Sequence, residues 1–231
     1  MKTLGIIGGI APESTVEYYR LVISSYRTRQ GDGNYPAIIL NSINLRRMLD
    51  LVSAGEIADL VRFLSAEIRK LAAAGADLAL LASNTPHLVF DELEGSSPIP
   101  LISIVRSTCE AAKALGLKTV GLMGTRFTMQ GKFYPDVFAK EGITVVVPGE
   151  EDQFYTHDKY MSELVNAKFL PETRRGLLAV VERMQEQKQI EGVILGGTEL
   201  PLLLRDAGSL GIPLLDTTTI HVEAAVGKML E

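Results

Sequence analysis

The chain has 231 residues, 46% hydrophobic and 22% charged, ordinary proportions for a globular protein with room for one large domain or two lobes. A net charge of −5 without a basic cluster gives no support for a nucleic-acid or anionic-membrane partner. One cysteine, Cys109, and three scattered histidines, His87, His157 and His221, exclude disulfides within the chain and leave no metal-ligand spacing.

The opening MKTLGIIGG lacks a signal-peptide apolar region, and the longest apolar runs are strand-length, so a cytoplasmic protein is expected. Residues 3–7 are predicted as the first strand. They run into GIIGGIAPEST, residues 5–15, where Gly8 and Gly9 allow close backbone approach and a following helix start can offer amides to an anion. The equal alternative is a tight turn capped by Ser14 or Glu13. No G-x-G-x-x-G or G-x-x-x-x-G-K-[ST] occurs, so a carboxylate fits this loop better than a nucleotide.

A second strand is predicted at 37–40 and a helix over 56–74, where Leu60, Val61, Leu64, Ile68 and Leu71 fall at helical spacing. Strand three, 78–81, ends in LASNTPHLVFDEL, where Ser83, Asn84 and Thr85 supply two hydroxyls and an amide before a helix opening near Pro86. His87 lies four residues beyond Ser83, but no G-x-S-x-G elbow surrounds the serine, so a hydrolase triad is a poor reading.

Strand four is predicted at 101–104. Cys109 follows in STCEAAKALG, on a helical face where a lone cysteine acts as a small core residue. Strand five, 119–123, closes in GLMGTRFTMQGKFY, exposing Gly124 and Thr125, with Arg126 either a carboxylate partner or solvated. After strand six, 144–147, the GEEDQ run at 149–153 reads as a solvated loop or a helix start. Strand seven, 192–195, ends in Gly196-Gly197-Thr198-Glu199, and strand eight, 213–215, in Asp216 and Thr217, which suit a helix cap.

Near-continuous apolar strands separated by helices predict an α/β protein whose parallel sheets are covered on both faces. Residues 1–100 and 118–206 repeat one series, and in each half the third strand delivers small and polar residues to its C-terminal end, where α/β sheets bind ligands. The expectation is two pseudo-symmetric Rossmann-like lobes, 1–100 plus 210–231 and 101–209, with the active site between them.

At these residues the chain resembles the cofactor-independent aspartate/glutamate racemases over essentially its whole length. LGIIGGIAPESTVEYY, SNTPH, GTRFTM, LGGTELP and DTTTIHVEAAV look like that family's opening loop, first catalytic strand end, threonine loop, second catalytic strand end and closing helix. The resemblance implies a PLP-independent homodimer acting on a small amino carboxylate through two thiols, one placed at Ser83, where a threonine is also known, and the other at Gly197. Neither thiol is present. Ser83 and Glu199 are then the remaining candidates for acid–base work, around a binding shell of Gly8, Gly9, Asn84, Thr85, Thr125 and Thr198. Arg46, Arg47 and Lys168 are candidate partners for a side-chain carboxylate. The alternatives are an impaired small-carboxylate-binding protein, or a related lyase or decarboxylase on the same fold. No metal or other cofactor is expected.

Overall fold

Residues 1–205 and 210–231 are described by a computed structural model, in which the chain divides into two units, Met1–Ile104 with His221–Glu231, and Val105–Ile220.

The first unit carries β1 (Leu4–Gly8), α1 (Pro12–Gln30), β2 (Ile38–Ser42), α2 (Leu45–Ala54), α3 (Ile57–Ala73), β3 (Leu78–Leu81), α4 (Phe90–Ser96) and β4 (Leu101–Ile102). Its four strands are parallel in the order β2-β1-β3-β4. The central strands β1 and β3 are buried along their whole length, which is what an unbroken apolar run needs in a sheet covered on both faces. The edge strand β2 is half-exposed and carries the polar Asn41 and Ser42. Leu60, Leu64, Ile68 and Leu71 form the buried face of α3. Leu4, Ile6, Leu78 and Leu80 pack with Tyr18 and Val22 of α1 and with Val222, Ala225, Val226 and Met229 near the C-terminus. Each such aliphatic side chain contributes roughly 1.5–3 kcal/mol on burial.

The second unit repeats this plan with α5 (Ile104–Ala114), β5 (Thr119–Gly124), α6 (Arg126–Gln130), α7 (Phe133–Ala139), β6 (Thr144–Val146), α8 (Glu150–Ser162), α9 (Pro171–Lys188), β7 (Gly192–Gly196), α10 (Leu200–Leu204) and β8 (Leu214–Asp216), and the chain then runs into α11 (Thr217–Leu230), which from His221 onward belongs to the first unit. Its sheet is again parallel, in the order β6-β5-β7-β8, the same 2-1-3-4 arrangement as the first. Val180, Val181 and Met184 of α9 pack against Val193 and Leu195 of β7. The acidic run at 149–153 opens α8, with Gly149 as its N-cap and three acids in its first turn, where they complement the helix dipole.

Two chain segments lie in other units than their sequence position suggests. Residues 210–220 were expected with the first lobe, but β8 pairs with β7, which carries the chain through Ile220 into the second unit. Residues 101–104 were expected with the second lobe, but β4 pairs with β3. Backbone pairing at the sheet edge decides membership here, and an apolar run does not say which sheet it will extend. The expected boundary at 209 itself lies outside the described residues.

Candidate active site

In each sheet the register brings a glycine-bearing loop beside a polar strand end. Ile7 pairs with Leu81, so the Gly8-Gly9 loop lies next to Ala82-Ser83. Gly124 pairs with Gly196, so Thr125 lies next to Gly197-Thr198. All four positions are at the C-terminal ends of parallel strands, the side of such sheets that takes ligands.

In the first unit the loop after β1 is closed internally. Gly9 sits at φ +82°, and a β-carbon there would lie 2.7 Å from Ser42 Oγ and 2.8 Å from Ile43 N, so the position requires glycine. The Gly9 amide donates to Thr15 Oγ1 at 2.7 Å, and the hydroxyls of Ser14 and Thr15 donate to the Ala11 carbonyl at 2.9 and 3.1 Å. The capping alternative is therefore met by neither Ser14 nor Glu13 as an acceptor. Thr15 does that work six residues beyond the glycine, and it takes up one of the amides expected to face an anion.

Ser83, Asn84 and Thr85 follow β3 directly, all buried, with Thr85 opening a short 3-10 turn through Val89. His87 accepts the Ile104 amide at Nε2 (3.1 Å), so its Nδ1 carries the proton and donates to the Ser83 carbonyl at 3.0 Å. Its one lone pair is thus engaged by backbone, and it does not serve the Ser83 hydroxyl as a base. The imidazole stacks on Phe90, with ring centroids 4.9 Å apart.

Arg46 and Arg47 sit on α2. Arg46 pairs with Asp50 at 3.1 Å on the surface, and the Arg47 guanidinium lies over the Phe63 ring, 4.6 Å from its centroid. Both border a surface depression of about 460 Å³.

In the second unit Thr125 is the N-cap of α6. Its hydroxyl accepts the Thr128 amide at 3.3 Å, and the adjacent Arg126 amide donates to His157 Nδ1 at 3.2 Å. Thr198 is buried and donates to Glu199 Oε2 at 3.1 Å, and Glu199 is 1% exposed. The same carboxylate oxygen accepts the phenol of Tyr160, which reaches it from the last turn of α8. Burial first, and then the charge of Glu199, hold the Tyr160 phenol well above its ordinary value. A β-carbon at Gly197 would lie 2.9 Å from Tyr160 Cζ and 3.0 Å from its Oη, so the ring fills the space a side chain at 197 would enter. Lys168 is exposed beyond this helix. Asp216 takes the cap role read from the sequence, its Oδ1 accepting the Thr218 and Thr219 amides at 3.0 Å each.

The structure thus gathers Gly197, Thr198 and Glu199 with Thr125 in one unit and Ser83, Asn84 and Thr85 with the Gly8-Gly9 loop in the other. Sequence reasoning missed Tyr160 and Thr15. Thr15 carried a usable signal, a hydroxyl within one helical turn of a glycine loop. Tyr160 carried none, since it stands 39 residues from Glu199 on a helix of mixed polarity. Cys109 is buried in α5, where burial, followed by the charges of Glu141 and Glu110, pushes its thiol up to about 11. It is a core residue far from thiolate chemistry.

Comparison with known proteins agrees across the chain. Its fold overlays a candidate Asp/Glu racemase from Yersinia pestis with a TM-score of 0.90 at 32% identity, covering 100% of both chains. An aspartate racemase homologue from Pyrococcus horikoshii OT3 gives 0.86 at 33% identity, again over 100% of both. In sequence the chain is similar to the broad specificity amino-acid racemase RacX of Bacillus subtilis, 23% identical over 232 aligned positions and 98% of each chain. The Asp/Glu/Hydantoin racemase family model matches residues 7–225, and the chain belongs to that family.

Proposed function

We propose that the protein is a PLP-independent amino-acid isomerase that moves the α-proton of a small amino carboxylate, with side chains other than thiols doing the acid–base work. The observation that carries this reading is Glu199, a carboxylate 1% exposed at the C-terminal end of a central strand in a chain of a racemase family. Holding a carboxylate out of water is costly, and such groups cluster at functional sites. Ser83, Asn84, Thr85, Thr125 and Thr198 supply the hydroxyl and amide groups that would hold a carboxylate and an ammonium. RacX is named for broad amino-acid specificity and the Pyrococcus structure for aspartate, so the substrate is sought among amino acids of both kinds. The reading extends to a homodimer in the cytoplasm. Among the described residues no helix is long and apolar enough to cross a membrane.

A second reading, a small-carboxylate-binding protein without turnover, is favoured by one observation: the sole thiol is Cys109, buried in α5. One experiment separates the two. The protein is incubated in deuterated water with a mixture of L-amino acids that includes aspartate and glutamate, and α-proton signals are followed by NMR. Loss of an α-proton signal supports the isomerase. Line broadening of one amino acid without exchange supports the binder. Neither effect for any amino acid sinks both.

A further inference from the structure

At the end of β7 two buried hydroxyls converge on one carboxylate oxygen: the Tyr160 phenol and the Thr198 hydroxyl both donate to Glu199 Oε2. Tyr160 is 6% exposed and Glu199 1%. A tyrosine and a glutamate used only for packing would give way to phenylalanine and an apolar residue at no cost in hydrogen bonding, because burying such a pair gains little net stability. Gly197 adds the positional argument. A side chain there would enter the volume that the Tyr160 ring and hydroxyl fill, 2.9 and 3.0 Å from where the β-carbon would be.

We propose that Tyr160, with Glu199 behind it, is the proton-transferring group of this strand end and delivers a hydroxyl from α8 to the place a side chain at 197 would occupy. This rests on the reading of the protein as an α-proton isomerase. In the step, the substrate Cα–H bond breaks and leaves its electron pair on Cα. Its proton lands on Tyr160 Oη as the phenol's own proton passes to the Glu199 carboxylate. The pair as a whole gains one proton and no free phenolate forms, in keeping with a phenol that burial and the neighbouring carboxylate hold protonated. The reverse path restores the Cα–H bond on the same face. In deuterated water the α-position therefore acquires deuterium through this group even where no enantiomer accumulates.

The test uses the full chain, an equimolar mixture of L-amino acids including aspartate and glutamate, and their D-counterparts as a second probe, with α-exchange followed by proton NMR in deuterated water. The unaltered protein exchanges at least one of them. Tyr160→Phe keeps the ring and lowers kcat for exchange by about 10²–10⁴-fold, the usual contribution of a positioned acid or base, while KM stays within a few-fold. Glu199→Gln keeps an acceptor for the phenol but cannot take its proton, and it shows the same loss, so the idea remains open to refutation should Tyr160→Phe fold poorly. Exchange by Tyr160→Phe or Glu199→Gln within a few-fold of the unaltered protein, or a loss confined to KM, overturns the relay and leaves the isomerase reading standing. No exchange of any probe by the unaltered protein overturns both.

Discussion

His87 holds the end of β3 to the start of α5: its Nδ1 donates to the Ser83 carbonyl at 3.0 Å and its Nε2 accepts the Ile104 amide at 3.1 Å. A histidine four residues beyond a serine invites a catalytic pairing, yet both of its ring nitrogens serve backbone. The residue fixes where the Ser83-Asn84-Thr85 segment lies.

His87→Phe should keep the stack on Phe90 and lose both hydrogen bonds. Two buried backbone groups would lose their partners, at about 1–3 kcal/mol each. We expect a destabilisation of about 2–4 kcal/mol in urea unfolding, with the fold retained at low urea. A loss below about 1 kcal/mol would mean that water replaces the ring, and that the Ser83 carbonyl does not depend on it.

Gly197 and Tyr160 compete for one volume. Gly197→Ala should cost about 1–3 kcal/mol through overpacking, because the nearest atoms belong to a ring tethered to Glu199. In a Tyr160→Ala background the same change should be nearly free, giving a coupling of at least about 1 kcal/mol in a double-mutant cycle. Additive costs would show that Tyr160 swings aside. A thiol at 197, which the family resemblance implies, meets the same constraint, so Gly197→Cys should fold well only when Tyr160 is also reduced.

The fold was legible because its signal is local. The eight strands at 3–7, 37–40, 78–81, 101–104, 119–123, 144–147, 192–195 and 213–215 all appear, each within a residue or two of its expected ends, since a strand buried on both faces must be an unbroken apolar run. The motifs at the strand ends pointed to the family on the same local basis. What stayed hidden is non-local. That 210–220 would join the second sheet follows from which edge β8 pairs with. That Tyr160 would fill the space beside Gly197 follows from how α8 packs, and neither is written in any window of neighbouring residues.

Cys109 should resist labelling in the folded protein. It is 2% exposed, and a thiol at about 11 leaves far less thiolate at pH 8 than one at its ordinary value near 9. A chromogenic disulfide reagent at pH 8 should react at least about 100-fold more slowly with native protein than with protein in strong denaturant. Fast native labelling would place the thiol at an accessible, electropositive position and reopen a chemical role for it.

His221 should make stability fall as the solution is acidified. The ring is fully buried, bonded at Nδ1 to the Tyr18 hydroxyl and at Nε2 to the Ile102 carbonyl, both at 2.9 Å, with the His87 ring 6.0 Å away. Burial lowers its pKa to about 4, from an ordinary 6.5. Between those values the unfolded chain binds a proton that the folded chain refuses, so the stability present above pH 6.5 drains away as pH falls toward 4. At 1.36 kcal/mol per pKa unit the full loss is about 3 kcal/mol, of which about 1.5 kcal/mol falls between pH 6.5 and 5. That window lies above the range in which Glu67 and Glu223, whose pKa values are lowered, take up protons. Urea unfolding at pH 7, 6.5, 6, 5.5 and 5 should therefore show a slope that His221→Gln flattens, even though the variant starts less stable at pH 7. Comparing the two proteins cancels whatever His87 contributes. Parallel curves for the two would mean that His221 accepts its proton without unfolding the unit, and would shift the acid sensitivity to other groups.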